Sequence, residues 1–156
     1  HTALRRQRQM CIRDSHKGKT IFIGDTSVHE YPTSEQMAEI AMSTARVVRL
    51  FGFEPKVAFV SHSTFGQPLT SRTKHIRDAV EILKEKKVDF EFDGDMQPDV
   101  ALNSEYEELY PFAKIVGKAN ILIMPGHHSA AIIQANENIW RHKSHWTFTY
   151  WAWTSN

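Results

Sequence analysis

Residues 56–64 read KVAFVSHST, an apolar run that ends in hydroxyl and imidazole side chains. A strand with one wet face alternates apolar and polar residues, whereas a strand buried on both faces does not. Residues 56–60 therefore predict a strand inside a parallel sheet. Residues 61–64 follow this strand at its carboxyl end, the edge at which open α/β sheets bind their ligands.

Outward from this strand, the central sequence alternates strands and helices. The predicted strands are short apolar or alternating runs: residues 20–24, 56–60, 88–92 and 119–124. A first helix begins at Thr33, an N-cap whose capping-box partner is Gln36, and Gly52 ends it. A second helix buries Ile76, Ala79, Val80 and Leu83 and exposes Lys74, Arg77, Glu81, Lys84 and Glu85. Pro98 starts a short third helix that ends at Leu102.

This alternation of elements predicts an α/β fold with a mainly parallel sheet and helices on both faces. Polar residues follow all four strands, at residues 25–27, 61–64, 93–95 and 126–129. Because parallel strands end at one edge, we expect these groups to converge on a ligand site. The candidate ligand-binding residues are Asp25, Thr26, Ser61, Ser63 and Thr64, whose hydroxyls and backbone N–H groups suit a phosphate or a carbonyl.

Each motif also has a plainer interpretation. Residues 61–64 could be a strand-ending turn with capping hydroxyls, and residues 93–95 (DGD) either an acidic or Mg²⁺-binding pair or, more often, a turn. His127 and His128 are adjacent and lack an HExxH pattern, which favours loop histidines over a metal site. A Ser-His-Asp triad cannot be assigned from the proximity of His62 to two serines, and neither GxGxxG nor GxxxxGK[ST] is present.

Composition narrows the functional class. Residues 17–134 carry a net charge of −3 within a chain of net charge +1, so nothing favours a nucleic-acid partner. The single Cys11 excludes a disulfide framework within the chain and a Cys-based zinc site. No apolar run approaches the roughly 20 residues that span a bilayer. We therefore expect a soluble, cytoplasmic protein with no membrane contact.

Both ends differ from the centre. Trp140, Trp146, Trp151 and Trp153 become glycines if the single tryptophan codon is read one base later, which suggests a frameshifted tail. Residues 10–15 (MCIRDS) resemble a translated transposon end used in preparing sequencing libraries. We therefore predict a non-native head at residues 1–16, a partial domain at residues 17–134 and a frameshifted tail at residues 135–156.

The central motifs resemble the phosphate acetyl/butyryl transferase family. The resemblance covers residues 23–26, 32–41, 51–58, 61–66, 92–102 and 119–125, in order and at the family's spacing. It implies part of a two-lobed transferase fold. Residues 65–68 (FGQP) replace the glycine- and serine-rich turn of true phosphate acetyltransferases, and residues 110–114 and 125–130 also look like the C-terminal region of hybrid NADP-dependent malic enzymes.

The resemblance implies that the transferase-like region of those malic enzymes supports homo-oligomerisation and senses acetyl-CoA. The parent enzyme would convert malate to pyruvate and CO₂ with NADP and Mg²⁺ or Mn²⁺. The chain itself is expected to hold no cofactor, catalytic residue or metal. Its expected ligand is a small molecule, acetyl-CoA or an acyl phosphate. The alternatives are part of a genuine phosphate acyltransferase and a non-catalytic α/β binding module.

One further expectation concerns assembly. The family's sheet continues beyond the fourth strand, and we expect the missing element to pair or pack against residues 121–124 and the helix around Ile132 and Ile133. An uncovered strand edge and apolar face would then make this chain marginal as a monomer.

Overall fold

The structure, a computed structural model, describes residues 20–25, 31–67, 70–126 and 147–152. Within them the chain forms a five-stranded sheet in which every strand pair is parallel. The strands are β1 (Thr20–Asp25), β2 (Lys56–Val60), β3 (Glu91–Met96), β4 (Ile121–Ile123) and β5 (Thr147–Ala152). The helices are α1 (Ser34–Leu50), α2 (Ser71–Glu85) and α3 (Pro98–Leu102), and a 3₁₀ turn follows at Ser104–Tyr106.

The strand order β3-β2-β4-β1-β5 explains why helices cover both faces of the sheet. The chain travels from β1 through β2 to β3 in one direction and then returns to β4, between β2 and β1. Because parallel crossovers share one hand, this reversal moves the connecting helix to the opposite face. Helices α1 and α2 accordingly pack on one face, and α3 packs on the other. The predicted α/β fold is confirmed.

Each face of the sheet has its own hydrophobic core, and β2 contributes to both. Val57 and Phe59 pack with α1 and α2, whereas Ala58 and Val60 pack with α3. All four side chains are buried. The unbroken apolar run of β2 is therefore explained, since neither of its faces reaches water. Burial of a side chain as large as Phe59 contributes roughly 1.5–3 kcal/mol.

The predicted ends of α1 are confirmed. The amide of Gln36 donates to Thr33 Oγ1 at 3.3 Å, and the amide of Thr33 donates to Gln36 Oε1 at 2.8 Å, which completes the capping box. Gly52 follows the helix with a φ of +82°, a conformation that glycine adopts without steric cost. None of the helices in the described ranges is long and apolar enough to cross a membrane.

The third strand begins later than the sequence predicts. Val88 and Phe90 do pack against the core beneath α1 and α2, which accounts for the alternating pattern. The carbonyl of Asp89, however, accepts a hydrogen bond from Arg49 at 2.9 Å and does not pair with β2. The same guanidinium donates to the Asp89 carboxylate at 2.7 Å and holds the pKa of that carboxyl below its ordinary value. The predicted third strand therefore exists but is shifted from residues 88–92 to Glu91–Met96.

A strand also forms where the sequence analysis identified none. β5 pairs with β1 in parallel register from Thr20↔Thr147 to Asp25↔Ala152. Its sequence, TFTYWA, consists mainly of β-branched and aromatic residues, which suit a pleated strand. Whether residues 135–156 are native stays a prediction.

The expected open edge at residues 121–124 is wrong. β4 pairs with β1 through Phe22↔Ile121 and with β2 through Val57↔Ile121, so both of its sides are occupied. The returning crossover inserts β4 in the middle of the sheet, a position that periodicity cannot reveal. Within the described residues, β3 and β5 are the outer strands. The helix expected around Ile132 and Ile133 lies outside these residues.

Gly94 permits the close approach of β3 to β2. Its φ is +156°, and an added Cβ would lie 2.7 Å from Phe59 Cβ and 2.9 Å from Phe59 O. We predict that Gly94→Ala lowers the free energy of unfolding by about 3 kcal/mol, because strain and overpacking act together. The control is Gly52→Ala, where φ is +82° and nothing lies within 4 Å; it should cost about 1 kcal/mol. Equal losses in urea unfolding would contradict the role of packing at Gly94.

Candidate functional site

The candidate site lies at the carboxyl ends of β2 and β3. The helix that follows β2 packs on one face of the sheet, and the helix that follows β3 packs on the other. Two adjacent parallel strands whose connections leave to opposite faces define a topological switch point, where the diverging loops open a crevice. The loop of residues 61–67, here called the switch loop, leaves β2 at this point.

A β-bulge aims Asp95 at the switch loop. The register between the two strands runs Phe59↔Gly94 and then Val60↔Met96, so Asp95 is an extra residue on β3. Such bulges redirect a side chain and are frequent beside functional sites. Asp95 is completely buried. The prediction that residues 93–95 form a turn after the strand is wrong, since they lie within β3.

Both carboxylate oxygens of Asp95 accept hydrogen bonds from the switch loop. The hydroxyl of Ser63 donates to Asp95 Oδ2, and the amide of Gly66 donates to Asp95 Oδ1 at 3.1 Å. The amide of Phe65 donates to the Asp95 carbonyl at 2.6 Å. One buried residue therefore binds the loop at three of its residues.

The loop also closes on itself. The amide of Thr64 donates to the Gln67 carbonyl at 3.2 Å, and the reverse bond measures 3.1 Å. Between them Phe65 and Gly66 have φ values of +49° and +83°. Two consecutive residues with positive φ are typical of the tight type I′ turn. Phe65 adopts this conformation against the usual preference of a residue with a Cβ atom.

This arrangement leaves few backbone donors for a ligand. The amides of residues 61 and 63–67 all have hydrogen-bond partners inside the protein. Within the switch loop, only the amide of His62 has no hydrogen-bond partner among the described residues. The loop is consequently not an open nest of N–H groups of the kind that binds phosphate. What it exposes are the side chains of His62 and Gln67 and parts of Thr64 and Phe65.

The sequence-predicted ligand residues differ in their surroundings. Ser63 is completely buried and Ser61 nearly so, and their hydroxyls lie 3.2 Å apart. Thr64 is partly exposed, and its hydroxyl accepts the amide of Gln97 at 3.3 Å. Asp25 ends β1 at the same edge of the sheet, and Thr26 lies outside the described residues. The structure therefore brings Ser61, Ser63 and Thr64 together, and their ligand role stays a prediction.

Other candidate groups can also be placed. Ser63 contacts Asp95 directly, with no histidine between them, so these residues do not form a Ser-His-Asp triad. Asp93 accepts the amide of Lys114 at 3.1 Å and thus serves a different segment from Asp95. In the described ranges, no group of three or more potential metal ligands occurs. His127 and His128 lie outside those ranges.

An aromatic cluster borders the switch loop. The ring of Phe65 lies 5.4 Å from that of Tyr110 and 4.9 Å from that of Phe112. Phe112 is 68% exposed, which leaves apolar surface beside the loop. The positive-φ turn places Phe65 at this border.

Sequence reasoning missed the role of Gln97 entirely. Its side chain donates to the His62 carbonyl at 3.0 Å, so the last residue before α3 supports the loop from outside. The sequence did offer one indication of this role: Gln97 lies two residues after Asp95 and directly before the Pro98 helix start. It could not be interpreted without knowing that β2 and β3 are neighbours.

Adjacent residues of the switch loop should respond differently to truncation. We predict that Ser63→Ala lowers the free energy of unfolding by about 1–3 kcal/mol, because it leaves a buried carboxylate oxygen without its donor. His62→Ala should change it by no more than about 0.5 kcal/mol, because this side chain is exposed. Urea unfolding monitored by circular dichroism measures both. A loss at His62 equal to that at Ser63 would refute the hydrogen-bond assignment.

Comparison with known proteins gives a consistent result. Residues 8–135 match the family model described as phosphate acetyl/butaryl transferase. The chain is 47% identical over 116 residues to the NADP-dependent malic enzyme of Rhizobium meliloti, covering 74% of this chain and 15% of that protein. It is 43% identical over 120 residues to the phosphate acetyltransferase of Treponema pallidum, covering 74% and 35% respectively.

The fold is shared with a solved structure. A phosphotransacetylase from Streptococcus pyogenes superposes with a TM-score of 0.71 at 29% identity, and the match covers 77% of this chain and 37% of that one. The chain thus spans about a seventh of the malic enzyme and about a third of the acetyltransferase.

Proposed function

The chain belongs to the phosphate acetyl/butyryl transferase family, and we propose that it is part of the transferase-like region of an NADP-dependent malic enzyme. In this proposal the region binds acetyl-CoA as a regulatory ligand and supports homo-oligomerisation. The intact cytoplasmic enzyme would oxidise and decarboxylate malate to pyruvate and CO₂. The chain would contribute regulation and assembly, and no catalytic group.

The observation that carries this proposal is the closed switch loop. A turn that transfers a phosphoryl-linked acyl group has to offer donors to a multiply charged oxyanion. Here the amides of residues 63–67 are all engaged within the protein. A closed loop suits recognition of a ligand through exposed side chains better than phosphate chemistry. The identity to the Rhizobium meliloti malic enzyme gives independent support.

The cofactors of the proposed parent enzyme do not fit the described residues. Mg²⁺ and Mn²⁺ are bound mainly by clustered carboxylates and other oxygen ligands, and no group of three or more candidate ligands occurs in the described part of the chain. The sequence has no GxGxxG pattern for a dinucleotide. We therefore assign no step of malate oxidation to this chain.

The second candidate function is that of a genuine phosphate acyltransferase, which exchanges an acyl group between CoA and phosphate. It is favoured by the similarity to the Streptococcus pyogenes phosphotransacetylase and to the Treponema pallidum acetyltransferase. The two candidates share one fold and differ in the parent protein. A test must therefore place this segment in an intact malic enzyme and in an intact phosphate acetyltransferase.

We predict that a chimera distinguishes the two functions. The 116 matched residues of the Rhizobium meliloti malic enzyme are replaced by the equivalent segment of this chain. Malate oxidation and its change on addition of acetyl-CoA should stay within about threefold of the unaltered enzyme, because a regulatory segment touches no reacting atom. The matched control replaces the 120 residues of the Treponema pallidum enzyme, and its acetyl transfer should fall at least about tenfold. A fully active acetyltransferase chimera beside an unresponsive malic enzyme chimera would favour the second function.

We also predict that the isolated 156-residue chain binds acetyl-CoA without turning it over. Isothermal titration should detect binding of acetyl-CoA. Assays for acetyl phosphate formation and for malate oxidation should detect no activity. Substantial acetyl phosphate formation by the purified chain would refute the regulatory assignment. Free CoA is the control ligand, and weaker binding of CoA than of acetyl-CoA would show that the acetyl group is recognised.

A further inference from the structure

We propose that Asp95 is a positioning residue, which sets the shape of the switch loop so that His62 and Thr64, and not the two serines, contact the ligand. This inference deepens the proposed function and rests on it for the nature of the ligand. The claim about loop shape rests on geometry alone.

The first argument is how Asp95 uses its hydrogen-bonding capacity. A carboxylate only accepts hydrogen bonds, and both of its oxygens here accept from the switch loop. Ser63 must therefore donate its single hydroxyl proton to Asp95. Its oxygen then remains to accept from Ser61, 3.2 Å away. The two serine hydroxyls are committed inside the protein and directed towards the carboxylate.

The second argument is exposure. Ser63 has no accessible surface, so a ligand in the crevice cannot reach its hydroxyl. His62 lies between the two serines and is exposed. Its amide has no partner among the described residues, and Thr64 retains a hydroxyl proton to donate. These groups suit the phosphate or carbonyl oxygens of an acyl-CoA.

The third argument is that the loop is held from two sides. Asp95 holds it from the interior, and Gln97 holds the His62 carbonyl from the exterior at 3.0 Å. Asp95 and Gln97, two residues apart in the chain, thus fix the loop backbone around the proposed contact groups. Loss of either support should loosen the loop without altering the exposed side chains themselves.

Asp95→Asn tests the interior support. Asparagine has one acceptor oxygen where aspartate has two, so either the Ser63 hydroxyl or the Gly66 amide loses its acceptor. Hydrogen exchange at the amides of Phe65 and Gly66 should therefore become about tenfold faster or more. Amides in the centre of β2 should keep their protection. Acetyl-CoA affinity should fall about tenfold, with His62→Ala giving a similar loss through the contact itself.

The matched control is Asp93→Asn. Asp93 is on the same strand and also accepts a backbone amide, but from Lys114 in another segment. It should leave both the exchange of the switch loop and the affinity unchanged. If Asp95→Asn unfolds the chain, Ser63→Ala replaces it, because it removes the hydroxyl that donates to Asp95 Oδ2 and leaves the carboxylate in place. That variant should also accelerate exchange at the amides of Phe65 and Gly66 and weaken binding several-fold.

The outcomes separate the two claims. Unchanged loop exchange in Asp95→Asn or, in its place, Ser63→Ala would overturn the positioning role. Faster exchange with unaltered affinity would overturn its link to the ligand. Failure of the wild-type chain to bind acetyl-CoA in titration would overturn the proposed function, while the exchange measurements would still decide whether Asp95 sets the loop.

Discussion

A buried carboxylate constrains everything around it. Asp95 has no exposed surface, and a buried charged group without hydrogen-bond partners costs several kcal/mol, so donors have to surround it. Ser63 and Gly66 supply them, and they belong to the loop that leaves the neighbouring strand. Through Asp95, the loop that follows β2 is therefore bound to the end of β3. Gly94 makes the tie possible, since a side chain there would collide with Phe59.

The position of this tie in the sheet gives it functional meaning. Because the helices after β2 and β3 leave to opposite faces, the crevice between them is the natural ligand site of the fold. In many such sites open loop amides hold a phosphate. Here the loop amides donate instead to Asp95 and within the tight turn at Phe65 and Gly66. The same strand positions thus support a closed loop with few free amide donors.

Sequence patterns reached the serines of the site but not their role. Ser61, Ser63 and Thr64 could be identified because they end a buried strand, and position along a strand is visible in sequence. Their commitment to Asp95 was not visible, since it depends on a bulge that shifts the register by one residue. Periodicity also failed at residues 88–90, which precede β3, where Arg49 binds the Asp89 carbonyl from 40 residues away. Both misses are long-range hydrogen bonds overriding a local pattern.

What the sequence by itself determined is local: the capping box of α1, the buried character of β2, the apolar face of α2 and the α/β class. Each depends on residues within one or two helical turns or one strand, so the chain carries the information directly. The tertiary structure alone decided that β4 lies inside the sheet, that β5 pairs with β1, and that Asp95 meets Ser63. These are contacts between distant segments, and their geometry follows from how the crossovers order the strands, which no local pattern encodes.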